Sequence, residues 1–448
     1  MKEKSLFGTS GIRGDAEELF TSQFCYDIAA TFVEYLRRHN LTSPIAVAMD
    51  PRQSGPRIKQ DLLHGLASSG LSLFDEGITP IPSVNWLIKN TEVKAAIMIT
   101  GSHIAPHLNG VKFYAHDEEI SENDQKEIES IYHTFKGKNI PSGEVPVTVE
   151  TRAKDLYEDM LYKLAQVPYP KYRLAVDCAN GSQSVVMPKL LKRFGFEVIE
   201  INCSTTANFI GRDTDTDDKA ELEALKGSVV KEACDFGIAY DGDGDRVVFI
   251  DEKGNFIQGE YSCSLVAKNT SSNTIVSTIS ASQVIEKLGK KVVRTKVGSP
   301  YVIAAMKENN ALFGFEPNGG AVSGEIMYTR DGGSMTIKML NFLKEKTLPF
   351  SKIVASLPKF YMYRTKVDYP WELKDKIIIE AKQNFQGIKV EEMDGLKIWK
   401  DENSWVLFRS SANAPEFRVF AESTSAQKAE ELLKNGLKLV NDIISKSK

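Results

Sequence analysis

Through about the first 360 residues, short apolar runs alternate with amphipathic stretches. The runs "IAVAMD" (45–50), "KAAIMIT" (94–100), "YRLAVDC" (172–178), "FEVIEIN" (196–202), "FGIAY" (236–240), "VVFID" (247–251), "NTIVSTIS" (273–280) and "KVVRTKV" (291–297) have strand length, and most are rich in β-branched residues. Between them, 22–38, 56–70, 120–135, 152–166 and 283–289 carry helical amphipathicity. A chain so patterned buries its apolar faces by covering parallel or mixed sheets with helices, and ligands in such folds sit at the carboxyl ends of strands. "GITPIPS" (77–83) reads as a Pro-punctuated loop entering a helix.

A length of 448 residues predicts three or four domains. "KGKNIPSGEVP" (136–146) is polar and Gly/Pro-bearing and reads as a linker. A second boundary falls near 252–260. Around "RTKVDYPWELKD" (364–375) the pattern changes to strands "LKIWKD", "WVLFRS" and "FRVFAES" and a closing helix from about 425 to 446, a small α+β module. The expected domains are 1–145, 146–254, 255–365 and 366–448. Three times a strand runs into a small polar loop, in "AMDPRQSG", "VDCANGS" and "AYDGDGD", which reads as one architecture recurring.

Composition narrows the function. The net charge of −4 provides no basic field, so neither nucleic acid nor a membrane surface is expected as partner. No apolar run has the length to span a bilayer, and "MKEKSLFGTSGIRG" has no signal-peptide core. The five cysteines are scattered without a CxxC pair, which predicts reduced thiols in a cytoplasmic protein.

"DFGIAYDGDGDRVVFID" (235–251) is the strongest chemical signal. Asp241, Asp243 and Asp245 alternate with glycines between two apolar strands. Three carboxylates at this spacing repel unless a cation joins them, and the glycines let the backbone fold so that they converge. Oxygen-only ligation suits Mg²⁺ or Ca²⁺. A solvated acidic turn and an EF-hand are the alternatives. An EF-hand needs Gly at its sixth position, where this chain has Arg246, and flanking helices rather than strands. Mg²⁺ is therefore expected, with a phosphate completing its shell.

In "IMITGSHIAPHLNGVKFY" (97–114), Ser102 follows Gly101 at a strand end, expected to face a crevice rather than to be buried. His103 is adjacent, but neighbouring residues on an extended chain point opposite ways. There is no G-x-S-x-G elbow, so acyl hydrolysis is not favoured. A serine carrying phosphate, coordinated to the Asp241/Asp243/Asp245 cation, accounts for more of the parts. Three further loops read as ordinary turns or as sites. "FGTSGIRG" (7–14) offers Arg13, hydroxyls and backbone amides to an anion. "FGFEPNGG" (313–320) offers Glu316 and Asn318 to sugar hydroxyls. "LFRSSANAPEFRVF" (407–420) offers Arg409, Ser411, Asn413 and, on the following strand, Arg418 to a phosphate.

In this order the loops "FGTSGIRG", "TGSHIAPHLNGVKFY", "DGDGDR", "EPNGG" and "RSSANAPEFR" resemble the α-D-phosphohexomutase family of phosphoglucomutases, phosphomannomutases and phosphoglucosamine mutases. The resemblance spans the whole chain. It implies three α/β domains with mixed sheets and a smaller C-terminal α+β domain around a central cleft. It implies Ser102 as the phosphoserine, and Asp241, Asp243 and Asp245 with the Ser102 phosphate as Mg²⁺ ligands. It places Arg13, His103, Lys112 and Arg246 around the transferring phosphoryl, Glu316 and Asn318 on the sugar ring, and Arg409, Ser411 and Asn413 on the other phosphate. "TKVGSPYV" (295–302) resembles a further sugar-contacting loop. The family's serine loop usually reads Thr-Ala-Ser-His-Asn-Pro, whereas this chain has Gly101, Ile104 and Ala105, and its phosphate loop reads "SANAP" in place of Ser-Gly-Thr-Glu-Pro. "TGSHI", "E-x-NGG" and "NAPE" resemble the branch assigned as phosphomannomutase.

The activity implied is interconversion of a hexose 1-phosphate and 6-phosphate through phospho-Ser102 and a 1,6-bisphosphate, which also serves as activator. The implied partner is a small phosphosugar, and the protein a monomer or homodimer. Glucose and glucosamine phosphates are alternative substrates. A Mg²⁺-dependent sugar phosphatase and a non-catalytic sugar-phosphate binder are the rivals from other classes.

Overall fold

The computed structural model describes residues 5–8, 11–137, 139–140, 143–212, 219–411 and 415–447. Two compact units emerge, Met1–Val266 with Asn318–Lys352, and Ala267–Pro317 with Ile353–Lys448.

The first unit opens with β1 (Ile12–Asp15), α1 (Ser22–Arg38), β2 (Ile45–Met49), α2 (Gly55–Leu66), β3 (Leu73–Ile78), α3 (Ile81–Asn90), β4 (Ala95–Ile99), β5 (Leu108–Ala115), β6 (Glu118–Glu119), α4 (Glu122–Phe135), β7 (Thr148–Val149) and α5 (Arg152–Leu164). The strands form one mixed sheet in the order β1-β5-β4-β2-β3-β7, with β6 on β5. β2 is parallel to β3 and β4, whereas β5 runs antiparallel to β4 and β1. Alternation along the strands explains the layering. Ile45, Val47, Ile97 and Ile99 pack with α1, α2 and α4, while Ala46, Ala48, Ala96 and Met98 pack with α3. Both sheet faces are therefore covered, and the strands read as continuous apolar runs.

A second mixed sheet follows from β8 (Arg173–Asp177), α6 (Met187–Arg193), β9 (Glu197–Ile201), α7 (Lys219–Lys231), β10 (Phe236–Tyr240), β11 (Val247–Ile250) and β12 (Phe256–Ile257), in the order β12-β11-β10-β8-β9. β8 is parallel to β9 and β10, and β10 and β11 are antiparallel. "GDGD" is thus the turn between two paired, buried strands, which rules out the helices of an EF-hand.

Next come α8 (Gly259–Asn269), β13 (Thr274–Thr278), β14 (Lys291–Thr295), α9 (Ser299–Glu308) and β15 (Phe313–Phe315), with β13 parallel to both β14 and β15. The stretch 283–289, expected as an amphipathic helix, holds a 3₁₀ turn over Gln283–Leu288. It is closed by Gly289 at φ 74°, too short a run for an α-helix to repay its nucleation. An antiparallel pair, β16 (Ala321–Ser323) and β17 (Met327–Arg330), leads to α10 (Gly332–Leu343) in the first unit. α11 (Phe350–Val354) precedes the C-terminal module. There β18 (Tyr361–Asp368), α12 (Lys374–Asn384), β19 (Lys389–Glu391), β20 (Leu396–Asp401), β21 (Ser404–Ser410) and β22 (Glu416–Ser423) form an antiparallel sheet in the order β18-β22-β21-β20-β19. α13 (Ala426–Ser445) closes it, its Ser425 side chain accepting from the Lys428 amide and Val440 and Ile443 packing into the sheet's core. The architecture is three α/β domains with mixed sheets and a smaller C-terminal sheet domain. Among the described residues no helix is long and apolar enough to cross a membrane.

Candidate active site

Parallel pairing brings the carboxyl ends of β2 and β4 together, and the chain places Asp50 after one and Thr100-Gly101-Ser102 after the other. The Thr100 hydroxyl, 2.7 Å from Asp50 Oδ2, accepts the Ser102 amide at 2.8 Å. That local bond tightens the backbone, and Ser102 adopts φ 58°. A left-handed serine costs about 1–3 kcal/mol and persists where the surroundings over-determine it.

This conformation corrects two expectations. Because residues 101–103 turn rather than extend, Ser102 Oγ and His103 Nδ1 lie 3.3 Å apart, so the neighbours do face one another. Ser102 is also fully buried rather than open to a crevice. Its hydroxyl donates to Asp241 Oδ2 at 3.1 Å, so the site's own groups enclose it.

The three aspartates are buried, with one oxygen of each within 4.8 Å of the others. Asp243 Oδ1 and Asp245 Oδ1 are buried acceptors without a hydrogen-bond donor among the described residues. Cations gather round them. Lys112, on β5, reaches to 3.7 Å from Asp243. Arg246 Nε lies 3.6 Å from Asp241 and 3.7 Å from Asp245, and its amide donates to Asp241 Oδ1 at 3.1 Å. Arg330, at the end of β17, donates to Asp245 Oδ2 at 2.5 Å. Arg13, on β1, is held in the same field, with Asp243, Arg246, Arg330 and Asp245 as its charged neighbours. Burial, then Asp243 and Asp245, push Asp241 well above the usual carboxylate range. Burial acts on Asp245 too, but Arg330, Lys112 and Arg246 outweigh it and hold that carboxyl at about 2. A divalent cation fits this donor set of converging, partly unpartnered carboxylate oxygens.

Arg13, Ser102, His103, Lys112, Asp241, Asp243, Asp245 and Arg246 therefore belong to one site in the first unit. Glu316, buried, and Asn318 lie on the turn after β15, where Asn318 Oδ1 accepts the Gly320 amide at 3.0 Å. In the second unit, Arg409 on β21 sits directly opposite Arg418 on β22. Two like charges across a sheet are unfavourable unless an anion joins them. Arg409 donates to Asp394 at 2.7 Å, and Asp394 also accepts the Val297 amide at 3.0 Å. Arg418 lies 3.4 Å from Glu416, and the Ser411 amide donates to the Glu416 carbonyl at 2.8 Å. Asn413 lies outside the described residues.

Sequence reasoning missed Asp50, Thr100 and Arg330. "AMDPRQSG" was visible as one of three recurrent strand-to-loop turns, which is the signal that could have singled out Asp50. Arg330 lies in "YTRDGG" with no local mark, since its role depends on an aspartate 85 positions away.

Fold and site together define a phosphosugar mutase architecture. The chain belongs to the phosphoglucomutase/phosphomannomutase family: its α/β/α domain I model matches residues 4–138, domain II 155–254 and domain III 256–361. A "phosphoglucomutase/phosphomannomutase" of Thermococcus kodakarensis is 34% identical, covering 98% of this chain and 99% of the relative. A "probable phosphoglucosamine mutase" of Pyrococcus furiosus is 31% identical, covering 99% of each. The crystal structure of a phosphoglucomutase/phosphomannomutase family protein from Burkholderia thailandensis superposes with a TM-score of 0.83 at 22% identity, covering 99% of this chain and 98% of that one.

Proposed function

We propose that this protein is an intramolecular phosphotransferase that interconverts hexose 1-phosphate and hexose 6-phosphate, with mannose phosphate its first substrate. The observation that carries the reading is Ser102 Oγ at 3.1 Å from Asp241, inside a cluster of three aspartates and four cations. Asp241, Asp243 and Asp245 would hold Mg²⁺ together with the phosphate on Ser102. When bound, the metal offsets negative charge on the transferring phosphoryl oxygens.

The chain's own groups account for the rest. The sugar's free hydroxyl oxygen attacks the phosphorus of phospho-Ser102, the bond to Oγ breaks, and Oγ keeps the electron pair. Either neutral His103 takes the hydroxyl proton, or Lys112 does after first giving up its own. Arg13 and Arg246 stabilise the equatorial oxygens. The second phosphoryl then returns from the 1,6-bisphosphate to Ser102, and added bisphosphate primes the enzyme. Glu316 and Asn318 would orient the ring, and Arg409, Ser411, Asn413 and Arg418 would hold the phosphate that is not transferring. The facing arginines on β21 and β22 support that assignment.

Domain limits of 1–145, 146–254, 255–365 and 366–448 belong to the same reading, supported by the composition breaks and, for the first three domains, by the matched ranges, although β18 lies wholly in the C-terminal sheet and so moves the last limit back to about Tyr361. A cytoplasmic location is supported by five free thiols. Glucosamine phosphate is the second substrate reading, favoured by the name borne by the Pyrococcus furiosus relative.

The test is ³¹P NMR of the protein with Mg²⁺, a trace of hexose 1,6-bisphosphate and, separately, mannose, glucose and glucosamine 1-phosphates, beside Ser102→Ala. A 6-phosphate that disappears in the variant is the expected result, and its rates rank the sugars. Inorganic phosphate alone would make the protein a phosphatase. Unchanged sugar phosphate would make it a binder.

A further inference from the structure

Arg52 stands outside every role described so far, yet it is among the largest fully buried side chains of the protein. A guanidinium has five N–H groups, and Arg52 uses all five. Nε donates to Asp50 Oδ2 at 3.1 Å. Nη1 donates to the carbonyls of Ala105 and Leu108, both at 2.7 Å. Nη2 donates to the carbonyls of Ser102 at 3.0 Å and Ile104 at 2.8 Å. Four of the five bonds therefore gather carbonyls of the loop that carries Ser102. Without them, each of these carbonyls in the site's wall would lose a donor, the Ala105 carbonyl keeping the Leu108 amide. The fifth bond goes to Asp50, which also accepts the Arg52 backbone amide at 3.1 Å and the Thr100 hydroxyl, the group that holds the Ser102 amide.

The guanidinium also lies over the Phe209 ring, 4.3 Å from its centroid. On the aspartate loop, a Cβ added at Gly242 would come 2.2 Å from Phe209 Cζ and 2.5 Å from the Ser102 carbonyl oxygen. Arg52, Phe209 and Gly242 thus form one stack joining the serine loop to the aspartate loop.

We propose that Arg52, seated on Phe209, is a positioning residue for phosphoryl transfer. It holds Ser102 in the left-handed conformation and sets the register of Oγ against the aspartates. The inference rests on the reading of Ser102 as phosphoryl carrier. Misplacing a reacting group by about 1 Å can cost about 100-fold in rate. A lysine at position 52 keeps the charge but cannot spread five donors over that loop.

The experiment measures kcat and KM for Arg52→Lys and Phe209→Leu beside wild type and Ser102→Ala, with circular dichroism melting to choose a temperature at which each is folded. Arg52→Lys is expected to lose about 100-fold in kcat with KM changed less than about threefold, because the clamp acts on the serine and not on the sugar. Phe209→Leu, which leaves all five donors in place, is expected to lose kcat severalfold at unchanged KM, and decides the matter if Arg52→Lys does not fold. A lower melting temperature with wild-type kcat and KM in the folded variants would make the stack mere scaffold and overturn the proposal. So would a raised KM at unchanged kcat. Wild type without turnover would instead overturn the phosphoserine reading, and this inference with it, an outcome distinct from active wild type matched by its variants.

Discussion

At Asp243, buried charge is tolerated because cations and a neighbouring hydroxyl share it. Lys112 stands at 3.7 Å, and the Thr100 hydroxyl at 3.3 Å, while Oδ1 has no donor among the described residues. Asp243→Asn removes one of three carboxylates from the metal site. Mg²⁺ affinity by calorimetric titration should fall by more than the roughly 10–100-fold that loss of an outer hydrogen-bonding partner to a metal ligand costs. An unchanged affinity would move the cation elsewhere. Gly101 makes a second residue-level case. A Cβ there would lie 2.8 Å from both Arg52 Cζ and Ile104 Cγ1, and Arg52 is tied by five bonds and cannot simply swing aside. Gly101→Ala should therefore destabilise the first unit by about 1–3 kcal/mol in urea unfolding.

At the scale of elements, β20 carries a buried lysine into the second unit's interior. Lys397 donates to the Ile279 carbonyl at 2.9 Å and lies 3.9 Å from the Trp405 ring centroid. Glu422, also buried, accepts from Gln283 and, at 2.8 Å, from the Trp405 indole. Burial, with Arg294 adding repulsion, lowers Lys397 from 10.5 to about 7, even with Glu422, Glu391 and Glu286 opposing the shift. The unfolded chain binds this proton below 10.5 and the folded one only below about 7. Between those values the unfolded state holds more protons, so stability rises with pH across that window and is lost as pH falls toward 7. Urea midpoints of the second unit measured from pH 7 to 10.5 should show that slope, and Lys397→Met should flatten it. A slope unchanged in Lys397→Met would assign it to other groups.

For the whole molecule, the two units have separate cores, and the aspartate cluster lies in one of them. Unfolding is therefore expected to depart from two-state behaviour, with a calorimetric enthalpy exceeding the van 't Hoff value. Mg²⁺ at about 100 times its Kd stabilises the state that binds it by about 2.7 kcal/mol. In scanning calorimetry it should raise the transition of the first unit and leave the other in place, whereas Lys397→Met should do the reverse. A single transition moved equally by both changes would contradict this.

What lies within a few neighbouring residues was already determined by the sequence. Strand and helix periods, the breaks at 136–146 and 364–375, the serine at a strand end and the aspartates alternating with glycines are all local facts, because each needs only covalent spacing and side-chain type. Even so, the Ser102–His103 contact escaped an argument from extended geometry, since a bond from the Ser102 amide to Thr100 turned the backbone left-handed. Tertiary structure alone decided which distant groups meet. Ser102 reaches an aspartate 139 positions on, Arg330 one 85 positions back, and Arg52 finds Phe209 on a different sheet's loop. Those pairings join loops of different sheets, which only the packing of those sheets within the first unit brings together. Burial then makes each unshared polar atom costly, so arginines gather round the carboxylates, and the oxygens still without a donor among the described residues, Asp243 Oδ1 and Asp245 Oδ1, mark where a cation fits.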